Sequence, residues 1–67
     1  MVEVVVNGER KHVAAGESVT ALLRTLNIPC ERVAVELNKS IVRKRDWDQT
    51  AIADGAQIEI VEFVGGG

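Results

Sequence analysis

The chain has 67 residues, of which 46% are hydrophobic and 27% are charged, and its formal net charge is -2. This length holds one small domain, and the core must be aliphatic because the sequence has one Trp, one Phe and no Tyr. The negative charge argues against nucleic acid or a membrane surface as a partner, and a single cysteine, Cys30, excludes an internally disulfide-stapled scaffold.

The sequence contains no targeting signal or catalytic motif that we recognise. No positively charged stretch with a long apolar run follows Met1, and no apolar segment reaches membrane-spanning length. A Gly-rich phosphate loop, a cluster of metal ligands and a nucleophile with its own base are also missing from the sequence. We therefore expect a cytoplasmic protein that is not an enzyme and binds no metal or cofactor itself.

The chain begins with a predicted β-hairpin. Positions 2–6 are mostly β-branched, and Asn7-Gly8 follows them. Asn-Gly between extended runs is a strong hairpin signal, because both turn positions need a positive φ. With a two-residue turn the facing pairs are Val6 and Glu9, Val4 and Lys11, and Val2 and Val13. Valines facing charged residues suit a core face poorly, so we expect either an edge strand or a longer turn.

One helix is predicted next. Ser18 has the residue type of an N-cap, whose hydroxyl accepts from the first free amides of a helix. The apolar residues after it repeat at i, i+3, i+4 and i+7, namely Val19, Leu22, Leu23 and Leu26. This spacing predicts one apolar stripe on a helix of about two to three turns. Asn27 can close the helix, and Pro29 prevents its continuation.

Strands dominate the second half of the chain. Positions 33–37 are typical of a strand, and a turn leads from them to a short strand at 41–42. Positions 43–50 are polar and predicted to be irregular, with Trp47 as a local anchor over the rim of the core. The last strand follows a turn at Asp54-Gly55 and runs to residue 64.

The order of elements is two strands, one helix and three strands. One helix lying across a small mixed sheet buries its single apolar stripe, which gives an α+β fold of the β-grasp, or ubiquitin-like, type. The first and last strands are expected to be parallel neighbours in the sheet centre, as their near-continuous apolar character suggests. We expect one β-grasp domain over residues 1–64 and a flexible glycine tail over residues 65–67.

A short helix covers only one face of such a sheet. Val5, Val61 and Phe63 have the opposite parity to the core residues, which predicts an apolar docking surface on the open face. Scattered exposed apolar residues are also ordinary. Glu59 and Glu62 lie on the strand that leads to the tail. They are either only the polar face of that strand, or charges that steer the tail toward a basic groove on a partner.

The sequence ends in Gly65-Gly66-Gly67, directly after an apolar strand. Glycine has no Cβ, so this tail can lie in a channel too narrow for a side chain and present its carboxylate to another protein's active site. Adenylation by ATP would give that carboxylate a leaving group. A sulfide equivalent would then form a thiocarboxylate on Gly67, whereas an amine would form an isopeptide bond. The alternative is an ordinary frayed terminus or linker remnant.

Three other features have ordinary interpretations that we favour. Cys30 could relay sulfur, but a small half-buried hydrophobic residue after the helix is the simpler interpretation. His12 has no nucleophile or metal ligand near it in sequence, and a surface position on an edge strand suits it better. The basic run at 43–45 lies beside Asp46 and Asp48 and is typical of a solvated loop.

Several segments together resemble a known family: VVVNG at 4–8, VAVE at 33–36, Trp47, DG at 54–55, IEIV at 58–61 and VGGG at 64–67. Over essentially its whole length the sequence resembles the ThiS family of sulfur carriers of thiamin biosynthesis. The resemblance implies that an E1-like enzyme uses ATP to adenylate Gly67, with Gly66 as its obligatory slim neighbour. A sulfurtransferase or cysteine desulfurase would supply sulfur, and thiazole synthase would accept it for the thiazole ring.

Three alternatives stay open at this point. A sulfur carrier for molybdopterin synthesis or tRNA thiolation has the same fold and tail and differs only in its partners. A ubiquitin-like modifier would form higher-mass conjugates with lysines of other proteins. A plain interaction module would keep its function after deletion of Gly66 and Gly67.

Overall fold

The computed structural model describes residues 1–63; residues 64–67, which include the predicted glycine tail, lie outside the described part. The strands of the sheet are β1 (Val2–Val6), β2 (Glu9–Val13), β3 (Val33–Leu37), β4 (Ser40–Val42) and β5 (Gln57–Glu62). The helix α1 (Val19–Thr25) connects β2 to β3, and a 3-10 helix (Lys44–Gln49) lies between β4 and β5. No helix in residues 1–63 is long and apolar enough to cross a membrane.

The strand order confirms the predicted β-grasp fold. It is β2-β1-β5-β3-β4, with β1 and β5 parallel in the centre and the other neighbours antiparallel. The hairpin register is the one predicted for a two-residue turn, with Val6 opposite Glu9 and Val4 opposite Lys11. Because β2 is an edge strand, the charged ends of Glu9 and Lys11 reach water beside the core.

Both two-residue hairpin turns have left-handed backbone. Asn7 and Gly8, between β1 and β2, have φ of 49° and 84°, as the Asn-Gly signal predicts. Asn38 and Lys39, between β3 and β4, have φ of 50° and 71°. Asparagine tolerates this conformation better than most residues, because its short polar side chain can form local hydrogen bonds.

The core lies between α1 and one face of the sheet. Ser18 caps α1, and its Oγ accepts from the backbone N–H of Ala21 at 3.1 Å. Leu22 and Leu23 of the predicted stripe are fully buried, whereas Leu26 is half-buried at the helix end. The other fully buried side chains of similar size are Ile52, Ile58, Val4, Val19 and Val35. The helical spacing therefore identified the buried face of α1 correctly.

The prediction that residues 43–50 are irregular was wrong. The segment Lys44–Gln49 is a 3-10 helix, and Asp46 N donates to the Arg43 carbonyl at 2.8 Å. Trp47 is only 3% exposed and belongs to the core itself, and its Nε1 donates to the Val42 carbonyl at 2.9 Å. A segment with one apolar residue has no hydrophobic periodicity, so its sequence carries no signal for this helix.

Candidate functional site

Strand β5 leads to the candidate site. It begins beside β1, where Val6 is the partner of Ile58, and it continues past the point where β1 turns away. On its other side β5 pairs with β3 from Ile58 to Glu62, whose partner is Val33. The Phe63 amide still donates to the Arg32 carbonyl at 2.7 Å. The alternation of side chains between the two faces of the sheet therefore continues to Phe63, one residue beyond the end of β5.

The predicted apolar docking residues share the face opposite α1, with Val61 and Phe63 at the end of β5 and Val5 farther back, opposite Gln57. Val61 is 57% exposed and Phe63 is 56% exposed, whereas Val5 on the adjacent strand is half-buried. Ile41 of β4 shares this face and is 71% exposed. Sequence reasoning missed Ile41, although its alternation with the half-buried Val42 was the available signal. The open face is thus apolar next to the end of β5.

The two glutamates singled out on β5 lie on opposite faces. Glu59 is on the open face, directly across from Glu36 of β3. Glu62 has the parity of the core residues and is exposed at the strand end. The structure therefore groups Glu59, and not Glu62, with Val5 and Val61.

A shallow groove of about 210 Å³ crosses the open face. Val5, Lys39 and Gln57 line it together with Glu36 and Glu59. Glu36 and Glu59 are directly across from each other in the β3–β5 pair, and Lys39 brings one positive charge to the same groove. The groove therefore carries two acidic side chains and one basic side chain.

The other residues considered lie away from this face or in ordinary positions. Cys30 is half-buried and packs against the core. His12 is on the edge strand, with its Nε2 3.6 Å from Glu3 Oε1. Lys44, from the basic run, places its Nζ 6.0 Å from the centre of the Trp47 ring. The described residues contain no group of three or more His, Cys, Asp or Glu side chains that could hold a metal ion.

Gly65, Gly66 and Gly67 lie outside the described residues. They follow β5 after Val64, so the chain reaches them from the open-face residues Val61 and Phe63. Comparison with known proteins includes them: a model of the ThiS family matches residues 4–67. The chain belongs to the ThiS family.

The relatives of this ThiS-family chain include a protein of about the same length and much longer thiazole synthases. It is 31% identical to the sulfur carrier protein ThiS of Escherichia coli, over 97% of the chain and 98% of that protein. It is 45% identical to a thiazole synthase of Paramagnetospirillum magneticum and 39% identical to one of Magnetococcus marinus. These matches cover 97% and 91% of the chain but only 20% and 19% of the two synthases.

A solved structure has the same fold. The crystal structure of the thiamine biosynthesis protein ThiS from Geobacter metallireducens superposes with a TM-score of 0.87 and 36% identity. The match covers 98% of this chain and 100% of that one. The ThiS family resemblance seen in the sequence is therefore confirmed in both sequence and fold.

Proposed function

We propose that this chain is a cytoplasmic sulfur carrier of thiamin biosynthesis that bears sulfur as a thiocarboxylate on Gly67. The observation that carries the proposal is the ThiS family match, which runs through Gly65 and Gly66 to the last residue. The full-length correspondence with the Escherichia coli sulfur carrier supports it. The chain is then a protein co-substrate, and the catalytic groups and ATP belong to its partners.

The proposed chemistry takes place at one carboxylate. An oxygen of Gly67 attacks the α-phosphorus of ATP, which forms an acyl-adenylate and releases pyrophosphate. A hydrosulfide equivalent then adds to the acyl carbon and displaces AMP, leaving the thiocarboxylate. If the sulfur comes from a persulfide of a sulfurtransferase or cysteine desulfurase, a thiol must also reduce the resulting acyl disulfide. The small glycines Gly65 and Gly66 let the tail enter a narrow active site.

The open face is the surface that we expect an E1-like adenylating enzyme to contact. Val61 and Phe63 present exposed apolar side chains just before the tail, and Val5 lies farther back on the same face, opposite Gln57. Glu59 adds negative charge beside them, so the complementary surface of the enzyme should combine apolar and basic side chains. Docking here holds the body of the domain while the tail reaches the bound ATP.

Thiazole synthase is the acceptor that we propose for the sulfur. Two thiazole synthases contain a segment 39% to 45% identical to this chain. A carrier segment within the same polypeptide as an acceptor would raise the effective concentration of one for the other. A separate carrier would need a docking surface instead, and the same open face is available for it after the adenylating enzyme leaves.

Mass spectrometry of the C-terminal fragment tests the proposal. The chain is incubated with the adenylating enzyme, ATP and a sulfur source, and thiazole synthase and its other substrates are then added. We expect sulfur on Gly67 after the first step and its loss after the second. Fragmentation is needed because replacing oxygen by sulfur adds almost the same mass as oxidising Met1 or Cys30. A chain lacking Gly66 and Gly67 is the control and should acquire none.

Two results would contradict the proposal. The first is an unmodified Gly67 under conditions in which the enzyme activates its own known carrier. The second is transfer of the activated chain to lysines of other proteins, which would indicate a modifier. The intact mass of the protein isolated from cells shows in addition whether Gly67 carries a free carboxylate, which this chemistry requires.

A further inference from the structure

Asn7 makes a hydrogen-bonded bridge to the end of β5. Its Oδ1 accepts from the Ile60 amide at 2.7 Å, and its Nδ2 donates to the Ile60 carbonyl at 3.1 Å. The Asn7 backbone amide donates to the Ile58 carbonyl at 2.9 Å. Asn7 therefore bonds β5 at two successive positions that point toward β1, although it stands in the turn where β1 has already ended. We call the two side-chain bonds the Asn7 bridge.

The Asn7 bridge supplies hydrogen bonds on the side of β5 where β1 has already ended. β1 pairs with β5 at Val5 and Val6 only, and the hairpin then turns away. The backbone groups of Ile60 would be left without a strand partner on that side. A side-chain amide has the same donor and acceptor as a peptide group, so Asn7 satisfies both. Among the described residues, no hydrogen bond holds β5 on its β1 side beyond Ile60.

A second asparagine bonds the other end of β5 in a similar way. Asn38, in the β3–β4 turn, donates from its backbone amide to the Gln57 carbonyl at 2.7 Å. Its Oδ1 accepts from the Gln57 amide at 2.9 Å. Both asparagines have left-handed backbone, with φ of 49° for Asn7 and 50° for Asn38. They differ in position, since Gln57 starts β5 and Ile60 is close to the tail.

We propose that Asn7 is a positioning residue for the reaction at Gly67, a proposal that rests on the function proposed above. The Asn7 bridge fixes Ile60, and so holds in place the end of β5 with Val61 and the adjoining Phe63. Without the bridge this part is bonded to β3 alone. The adenylating enzyme would then have to order it on binding, which weakens association before it affects the chemical step.

Replacement of each asparagine by glycine gives a matched pair of variants. Glycine accepts the left-handed turn without strain, so Asn7→Gly and Asn38→Gly keep both hairpins and remove only the side-chain bonds. The wild type and the variants are compared in steady-state pyrophosphate release by the adenylating enzyme, with the sulfur source present so that the acyl-adenylate is consumed, at a temperature at which all variants are folded by circular dichroism. We expect Asn7→Gly to raise KM roughly five- to tenfold, the cost of ordering about one residue. Its kcat and the KM of Asn38→Gly should stay within about twofold of the wild type, since neither change affects the bound tail.

Two further measurements separate positioning from stability. Asn7→Asp keeps the acceptor for the Ile60 amide but puts a carboxylate oxygen, which cannot donate, against the Ile60 carbonyl, so its KM should rise at least as much as that of Asn7→Gly. Amide hydrogen exchange, which needs no enzyme, should be faster at Val61 and Phe63 in Asn7→Gly but not in Asn38→Gly.

Equal KM values for Asn7→Gly and the wild type, or equal increases in both glycine variants, would overturn the positioning role. Unchanged exchange at Val61 and Phe63 would overturn it as well. A wild-type chain that the enzyme does not activate refutes the proposed function instead, and that result is read from the wild type alone.

Discussion

Phe63→Ala is the sharpest test of the open face as a docking surface. The Phe63 side chain is 56% exposed in the free domain, so about half of its surface is available to a partner. A phenylalanine buries roughly 150–250 Å² in a core or interface, which leaves on the order of 100 Å² here. At about 25 cal/mol per Å², complete burial of that area is worth about 2–3 kcal/mol. We therefore expect Phe63→Ala to raise Kd for the adenylating enzyme by at least about tenfold.

Isothermal titration calorimetry without ATP measures this binding step apart from the chemistry. Ile41→Ala is the control, because Ile41 is also on the open face and is 71% exposed, but it lies on β4 at the far edge of the sheet. It should change Kd by less than about twofold if docking is centred on β5. Ile41→Ala should keep the thermal stability of the wild type, since exposed side chains contribute less than about 0.5 kcal/mol. Phe63→Ala also loses the covered part of its side chain, so circular dichroism must show that it is folded at the temperature of the titration.

Two results would refute this reasoning. A change in Kd below about twofold for Phe63→Ala would mean that the residue stays in water in the complex, because burial of its exposed area is worth more than that. Equal losses in Phe63→Ala and Ile41→Ala would mean that docking covers the whole open face and is not centred next to the tail.

Three further predictions concern charge, the core and the lone thiol. Glu59→Lys should slow association with the adenylating enzyme and weaken its salt dependence in stopped-flow measurements, and Glu62→Lys, on the opposite face, should have the smaller effect. Trp47→Phe removes the 2.9 Å bond to the Val42 carbonyl and should cost about 1–2 kcal/mol in urea unfolding. Circular dichroism must follow that transition, since the variant has no tryptophan; an unchanged midpoint would contradict the role assigned to the bond. Cys30→Ser should leave the yield of Gly67 thiocarboxylate unchanged, and a lost yield in a folded variant would point to a sulfur relay.

The elements that could be predicted correctly are those with local signals. Asn7-Gly8 implied positive φ at both turn positions, and of the two alternatives expected for the hairpin, an edge strand or a longer turn, the structure shows the edge strand. Ser18 and the apolar spacing after it located α1 and its buried face. These signals depend on residues within one or two turns of each other, so the sequence contains all the necessary information.

The misjudged features depend on contacts between distant residues. Trp47 is a core residue because the 3-10 helix that carries it packs against α1. The residues next to Trp47 in the sequence give no sign of that contact. The acidic pair Glu36 and Glu59 is separated by 23 positions and meets only because β3 and β5 are antiparallel neighbours. Glu59 and Glu62 were considered together because both lie on the strand before the tail, although side chains three positions apart on a strand point to opposite faces.

The sequence by itself determined the fold class, the family and the residue proposed to react. Hydrophobic spacing, turn chemistry and the terminal glycines are properties of short segments, and each can be interpreted without knowing its neighbours in space. The tertiary structure decided what lies beside the path to the tail: the pairing of Glu59 with Glu36, the place of Ile41 on the same face, and the Asn7 bridge to Ile60. Asn7 and Ile60 are 53 positions apart, and only the parallel pairing of the first and last strands brings them together.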